Sequence, residues 1–133
     1  QMMPKFEMIK VEYIPSYDEK MMIEETSKFD IGVFPLFENE MSAGRGMLKA
    51  RIYMSAGVPV ICSNVGEVGD LIIHGKNGYI SKNDQEWLEN IEFLILNRKE
   101  RNKVGACGKE TIQKRYSKEK CFESLEKNFL SLL

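Results

Sequence analysis

Two glycines and two basic residues lie close together in the middle of the chain, and they could bind a phosphate group. Gly44, Arg45 and Gly46 are consecutive, and Lys49 follows four residues after Arg45. Glycine lets the backbone approach a ligand closely, and the free N–H groups at a helix N-terminus bind anions. A helix that begins near Gly46 would therefore place both cations beside a phosphate. The alternative is that Arg45 and Lys49 are solvated surface charges.

Acidic residues just before this segment could contact a sugar. Glu38 and Glu40 could accept hydrogen bonds from sugar or ribose hydroxyls, or they could serve only to keep a loop in solution. A second glycine-containing segment, residues 63–69, includes Gly66. Catalysis by paired carboxylates needs a defined separation between the two groups, which spacing within a loop does not reveal. No catalytic residue is therefore assigned.

The cysteine and histidine content argues against several other kinds of site. The three cysteines, Cys62, Cys107 and Cys121, form no C-x-x-C pair, and the single histidine is His74. An odd number of cysteines without metal-ligand spacing does not suit a disulfide framework or a zinc site. The sequence predicts reduced thiols in a cytosolic protein and no metal site.

Alternating strands and helices must position these residues. Apolar runs predict strands at 29–34, 58–62 and 79–80, and an alternating run predicts one at 6–14. Helices are predicted at 19–28, 46–56, 70–73, from a cap at Asn83 or Asp84 to about 96, at 99–115 and from 117 to the end, with Asp18 as an N-cap and Gly57 as a C′ residue. This alternation indicates an α/β fold, a Rossmann-like three-layer α/β/α parallel sheet with a helical C-terminal third. Ligands bind beyond the carboxyl ends of such strands, where both glycine segments lie.

Size and charge limit the classes of partner. The 133 residues fit one domain, predicted to occupy 1–133, and the net charge of −1 gives no general attraction to nucleic acid. No apolar run approaches the ~18 residues that a membrane span requires, so a cytoplasmic location is predicted. Residues 98–103 are rich in basic side chains and could touch the inner face of a membrane. Glu100 interrupts them, which favours a solvated helix face.

Five segments, taken in order, resemble a known family. They are residues 30–36, 44–49, 53–60, 66–70 and 75–79, which read DIGVFPL, GRGMLK, YMSAGVPV, GEVGD and GKNGY. Together they resemble the C-terminal, donor-binding domain of family 4 (group 1) glycosyltransferases, which have the GT-B fold of two Rossmann-like domains. The resemblance covers the chain from about Val11 onward.

The resemblance implies metal-independent, retaining transfer of a sugar from a nucleotide-diphosphate sugar, with no cofactor, to a glycan or lipid-linked acceptor. It implies that the donor diphosphate meets Gly44, Arg45, Gly46, Lys49 and Gly66. It implies contacts to the donor sugar or ribose from Glu38, Glu40, Glu67 and Asp70, and contacts to the base from Tyr13 and Ile14.

Two positions depart from the family pattern. Members commonly carry a pair of glutamates eight residues apart, the first on the transferred sugar and the second on the ribose. These positions fall on Gly44 and Ile52, whose side chains accept no hydrogen bond. Ribose recognition by a side chain of this helix is therefore in doubt.

The resemblance also implies a longer enzyme. Its N-terminal domain would bind the acceptor, so this chain is expected to be a fragment with little or no transferase activity alone. The competing hypothesis is a non-catalytic module that binds a nucleotide or a protein partner, and the isoleucine at position 52 slightly favours it. Calorimetry with nucleotides would distinguish the two hypotheses.

Overall fold

The computed structural model describes residues 10–14, 18–37 and 46–131. Within them a parallel sheet has three strands in the order β1-β2-β3. The strands are β1 Gly32–Phe34, β2 Val60–Ser63 and β3 Tyr79–Ser81. Gly32 pairs with Val60, and Ile61 pairs with Tyr79. The predicted parallel sheet is confirmed.

Helices follow each strand and fill the C-terminal part of the chain. They are α1 Glu19–Thr26, α2 Leu48–Ser55, α3 Val68–Leu71, α4 Asp84–Leu96, α5 Arg98–Tyr116 and α6 Lys118–Leu130. The predicted α/β class and helical C-terminal third are confirmed, with boundaries that differ from the predictions by a few residues at most.

The strand predicted at 6–14 is wrong over its described part. Residues 10–14 have no regular secondary structure, and residues 6–9 lie outside the described part of the chain. A strand exists only when its backbone pairs with a neighbour, and residues 10–14 pair with none of the described strands. The alternation of apolar and polar residues is compatible with a strand, but it does not show whether a neighbouring strand is present to pair with it.

Two helix ends are formed as the residue types predict. The Asp18 carboxylate accepts a hydrogen bond of 2.8 Å from the Met21 N–H and so caps α1. After α2, Gly57 has a φ of 77°, its N–H bonds to the Met54 carbonyl, and the Val58 N–H bonds to the Tyr53 carbonyl. This is a Schellman motif, which fixes where α2 ends and where the chain turns toward β2.

The side chains of β2 alternate between two cores. Val60 and Cys62 pack on one face of the sheet with Met54 of α2 and Leu71 of α3. Ile61 packs on the other face with Leu94 of α4 and with Val104 of α5. Both faces of the central strand are covered, which gives three layers and accounts for its almost unbroken apolar sequence.

The turn before β3 depends on the backbone of a glycine and on the side chain of an asparagine. Gly75 has a φ of 75°, but Asn77 does not adopt a positive φ. Asn77 is instead buried, and its side chain bonds to the backbone of Ile73 and Leu71 and to Thr111 of α5. The asparagine is needed here for its amide group, and the glycine is needed for its backbone freedom.

The last helix leaves an apolar side uncovered by the described residues. Phe122, Leu125 and Phe129 of α6 are all more than half exposed. In the described ranges, no helix combines the length and the apolar character needed to cross a bilayer.

Burial of Cys62 predicts a loss of stability at alkaline pH. Burial raises the pKa of the Cys62 thiol from 9.0 to about 12. Between pH 9 and pH 12 the unfolded chain loses the thiol proton while the folded chain keeps it. The full stability contributed by the neutral thiol is therefore present below pH 9, and the free energy of unfolding falls by about 1.4 kcal/mol per pH unit as the pH rises toward 12. Urea unfolding at pH 8 and pH 10 should show a smaller pH-dependent loss in Cys62→Ala than in the wild type. The control Cys121→Ala, at an exposed position, should keep the wild-type dependence. An equal loss in all three proteins would contradict this assignment.

Candidate functional site

The loops after the three strands meet at one edge of the sheet. Phe34 pairs with Cys62, and Ser63 pairs with Ser81, so the carboxyl ends of the strands are nearly level. The Leu36 N–H donates to the Ser63 hydroxyl oxygen at 2.8 Å. The Asn64 N–H donates to the Ser81 carbonyl at 3.1 Å. These hydrogen bonds link the loop after β1 to β2 and the loop after β2 to β3.

A cleft of about 670 Å³ opens at this edge, and we call it the edge cleft. Each of the three loops contributes to its lining, which includes Leu36, Phe37, Ser63, Asn64, Lys82, Asn83, Asp84 and Trp87. Its position matches the prediction that ligands bind beyond the carboxyl ends of the strands.

The N-terminus of α2 differs from those of α1, α4 and α6. Asp18, Asn83 and Ser117 cap those three helices through their side chains. The N-cap residue of α2 is Met47, which provides no side-chain hydrogen bond, and the first turn of α2 contains no acidic residue. Among the residues that the structure describes, neither a capping side chain nor a carboxylate in the first turn of α2 compensates the backbone N–H groups at this end, so an anion is favoured there.

Lys49 lies in the first turn of α2, is exposed, and lines a second concavity between α1 and α2. We call this space of about 190 Å³ the helix cavity. Its described lining consists of Ile14, Met21, Met22, Glu25, Thr26, Phe29, Lys49, Ile52 and Tyr53. An apolar cavity with one lysine and one glutamate beside an uncapped helix end can accept a flat apolar group linked to an anion.

Glu25 contributes a carboxylate to the lining of the helix cavity, and Lys28 donates a hydrogen bond to that carboxylate. The Lys28 Nζ donates to Glu25 Oε1 at 2.6 Å. This hydrogen bond raises the pKa of Lys28 above its usual value. This bond occupies one oxygen of the Glu25 carboxylate, and among the described residues the other oxygen accepts no hydrogen bond.

Comparisons with known proteins agree with this geometry. Residues 53–111 match the family described as glycosyl transferases group 1. The domain belongs to the group 1 glycosyltransferases. The predicted resemblance to their C-terminal domain is confirmed.

Two curated relatives share part of this glycosyltransferase domain. An uncharacterized glycosyltransferase of Methanocaldococcus jannaschii is 36% identical over 93 residues, which are 68% of this chain and 26% of that protein. Spore coat protein SA of Bacillus subtilis is 32% identical over 75 residues, which are 54% of this chain and 20% of that protein. The chain thus spans about a quarter or less of the length of these relatives.

Solved structures share the fold at lower identity. Sucrose-phosphate synthase from Thermosynechococcus elongatus superposes with a TM-score of 0.79 at 19% identity, over 91% of this chain and 30% of that chain. The C-terminal domain of the group 1 glycosyl transferase LpcC from Francisella tularensis gives 0.63 at 23% identity, over 81% and 53%. Anabaena HepE in complex with UDP gives 0.63 at 16% identity, over 81% and 29%. These likenesses establish a GT-B type domain fold.

The structure brings some of the predicted site residues of this glycosyltransferase domain together. Ile14 and Lys49 line the same cavity, whereas Tyr13 is 66% exposed and does not line it. Gly46 is exposed directly before the N-cap of α2. Four predicted residues lie outside the described part of the chain: Glu38, Glu40, Gly44 and Arg45.

The predicted contacts after β2 form a separate group. Gly66 has a φ of 61°, so a glycine is required there, but its role toward a donor stays a prediction. Glu67 and Asp70 are exposed, and neither contributes to the described lining of the helix cavity or the edge cleft. The backbone carbonyl of Asp70 accepts a hydrogen bond of 2.7 Å from Arg115. The structure therefore does not place these three residues with Lys49 in one cavity.

The residues that follow β3 also belong to the site, although no sequence motif singled them out. Lys82, Asp84 and Trp87 line the edge cleft, although the sequence predicts only a helix that begins after Lys82. The signal was present, because they come directly after the third strand and the rule about carboxyl ends applies to them as well.

Proposed function

We propose that this domain binds the nucleotide part of a nucleotide-diphosphate sugar and acts as the donor half of a glycosyltransferase. The observation that carries the proposal is the uncapped N-terminus of α2 with Lys49 in its first turn, next to the helix cavity. The transfer we propose is retaining and metal-independent, with a glycan or a lipid-linked molecule as acceptor. A cytoplasmic location remains a prediction.

The diphosphate binds at the start of α2 in this proposal. Backbone N–H groups there carry partial positive charge, and Lys49 adds a full charge beside them. Arg45 would add a second cation. When the bond between the sugar C1 and the diphosphate oxygen breaks, its electron pair remains on the diphosphate. The same cationic groups stabilise that charge, as a metal ion does in other transferases.

The nucleoside occupies the helix cavity in this proposal. Ile14, Phe29 and Ile52 offer an apolar surface to the base. Ile52 cannot accept a hydrogen bond from the ribose, so we assign that role to Glu25, whose carboxylate lines the same cavity. HepE, whose solved structure contains UDP, makes UDP the first nucleotide to test.

Isothermal titration calorimetry with UDP, GDP and ADP tests the proposal. We expect one of these nucleotides to bind and Lys49→Ala to weaken the binding about tenfold, because a charge-assisted contact to a phosphate is lost. The affinity should be unchanged by EDTA.

Lys99→Ala is a matched control. Lys99 is exposed in the first turn of α5, whose N-cap residue Asn97 also makes no side-chain hydrogen bond to the N–H groups of that turn. This variant should bind the nucleotide as the wild type does. If both variants bind the nucleotide equally weakly, Lys49 acts only through its contribution to the net charge. The assignment of the diphosphate site to the start of α2 would then be wrong.

The second candidate is a non-catalytic module that binds a protein partner. Ile52 favours this candidate, because it puts an apolar side chain into the lining of the helix cavity at the position where the family pattern has a glutamate. Binding of none of the three nucleotides would support this candidate against the donor site.

A further inference from the structure

A third concavity, of about 270 Å³, lies between the turn before β3 and the C-terminal half of α5, and we call it the basic groove. Its lining includes Ile73 and Lys76 of the turn and Cys107, Glu110, Lys114 and Arg115 on one face of α5. It shares no described lining residue with the edge cleft or the helix cavity. The turn precedes β3, whereas the edge cleft lies beyond the carboxyl ends of the strands, so the basic groove is a separate site.

Positive charge is concentrated in the basic groove. Its described lining contains three basic side chains and one carboxylate, which leaves two positive charges. The whole chain has a net charge of −1, so this excess is local. The Lys114 Nζ donates a hydrogen bond to the Glu110 carboxylate, and these two charges balance each other. Lys76 and Arg115 therefore carry the charge that nothing in the described lining neutralises.

The Arg115 guanidinium is held in place and still has hydrogen-bond donors to offer. Its Nη1 donates to the Asp70 carbonyl at 2.7 Å, and its central carbon lies 5.7 Å from the centre of the Tyr116 ring. Among the described residues, no acceptor is bonded to Nε or Nη2. A guanidinium in a fixed position binds a phosphate through parallel N–H···O bonds, so Arg115 is suited to that ligand.

Lys76 brings a second cation from a different element. Its Nζ forms no hydrogen bond with any described residue. The hydrogen bond from Lys114 lowers the pKa of Glu110, and the charge of Lys76 lowers it further, so Lys76 acts on the same groove. Lys114 and Arg115 lie in the last turn of α5, where cations also offset the helix dipole. That effect does not account for Lys76, which lies in the turn before β3.

We propose that the basic groove binds a small phosphate monoester, with Arg115 and Lys76 on the phosphate and Ile73 beside its carbon part. A phosphate monoester carries about two negative charges near neutral pH, which matches the excess charge of the lining. Ligand pockets for larger molecules usually have about 300–1,000 Å³, so this smaller volume suits a phosphate with a few carbon atoms better than a nucleotide. The site does not rest on the proposed function.

A two-dimensional proton–nitrogen NMR titration of the 133-residue chain with glycerol 3-phosphate, at constant ionic strength, tests this site. We expect saturable shifts of the backbone N–H signals of residues 73–77 and 107–115 at millimolar concentration. Lys76→Ala should weaken binding about fivefold, because one charge-assisted contact is lost. Lys76→Glu should abolish saturation, because the excess positive charge of the lining then disappears. Both variants should fold, since Lys76 is exposed.

Lys109→Ala is the matched control, because Lys109 is exposed on the same helix and does not line the basic groove. It should bind glycerol 3-phosphate as the wild type does. The proposal is overturned if the groove signals do not shift saturably, or if Lys76→Ala and Lys109→Ala bind alike. It is also overturned if vesicles of phosphatidylcholine and phosphatidate bind the chain through Lys76 while glycerol 3-phosphate does not.

The same spectra separate the basic groove from the proposed donor site. Shifts confined to the start of α2 and lost in Lys49→Ala would keep the donor site and overturn the basic groove. Shifts at residues 73–77 that persist in Lys49→Ala would support the basic groove, whether or not the chain binds UDP.

Discussion

Gly105→Ala is expected to lower the free energy of unfolding by roughly 3 kcal/mol, the upper end of the usual cost of overpacking. Gly105 of α5 packs directly on the turn that ends α2. A Cβ atom added there would lie 2.1 Å from the Gly57 carbonyl oxygen and 3.3 Å from Pro59 Cδ. The nearest atom belongs to the backbone and cannot move aside by a rotamer change. Thermal or urea unfolding measured by circular dichroism gives the loss directly.

Gly69→Ala is the matched control for this prediction. Gly69 is also helical, but a Cβ there would have no heavy atom within 4 Å. Its substitution should change stability by no more than about 0.5–1 kcal/mol, and in the stabilising direction, because alanine restricts the unfolded chain. Equal unfolding midpoints for the two variants would show that α5 does not press on the end of α2.

The contact at Gly105 matters for the candidate site because α2 carries the site at its other end. The same half of α2 is fixed by Tyr53, whose ring lies against Gly32 of β1 so closely that a Cβ on that glycine would be 2.5 Å from Tyr53 Cγ. With its C-terminal half held by both α5 and β1, α2 presents Lys49 and its uncapped end in a fixed direction. A preorganised anion site needs such support from outside its own residues.

The parts of the fold that the sequence predicts are those decided within a few residues. Asp18 and Asn83 start helices because their side chains bond to N–H groups three residues later. Gly57 ends α2 because its backbone adopts a positive φ. The apolar run around Ile61 predicts a buried strand because both of its faces are covered. These features can be predicted from the sequence because they depend mainly on residues that are close together along the chain.

The parts that the sequence does not predict depend on partners far along the chain. Whether Tyr13 or Ile14 would face the helix cavity is decided by how α1 packs on α2. The backbone of Gly105 adopts a helical conformation that any residue can adopt. A glycine is needed there only because the Gly57 backbone leaves no room for a Cβ atom. Its position after the third strand places Trp87 at the carboxyl edge of the sheet, but the shape of the edge cleft that it lines depends on the alignment of all three strands.

Asn77→Ala is expected to cost about 3 kcal/mol of stability because it leaves two backbone groups and one hydroxyl group without their partner. The Asn77 Oδ1 accepts from the Ile73 N–H at 2.7 Å, and its Nδ2 donates to the Leu71 carbonyl at 3.1 Å and to Thr111 Oγ1 at 3.2 Å. The residue is 3% exposed, so water cannot readily replace these bonds. One amide thus joins the end of α3, the turn before β3 and α5. Urea unfolding gives the loss.

Thr111→Val separates the contribution of the amide from that of its partner on α5. It removes one of the three Asn77 contacts and the Thr111 bond to the Cys107 carbonyl, while the shape of the side chain is kept. We expect it to cost about 1 kcal/mol, since the two backbone groups served by Asn77 stay satisfied. The double variant should then cost less than the sum of the two single variants, because both remove the same Asn77–Thr111 bond. A loss below about 1 kcal/mol for Asn77→Ala would mean that water reaches the turn, and the buried amide would no longer explain why an asparagine stands there.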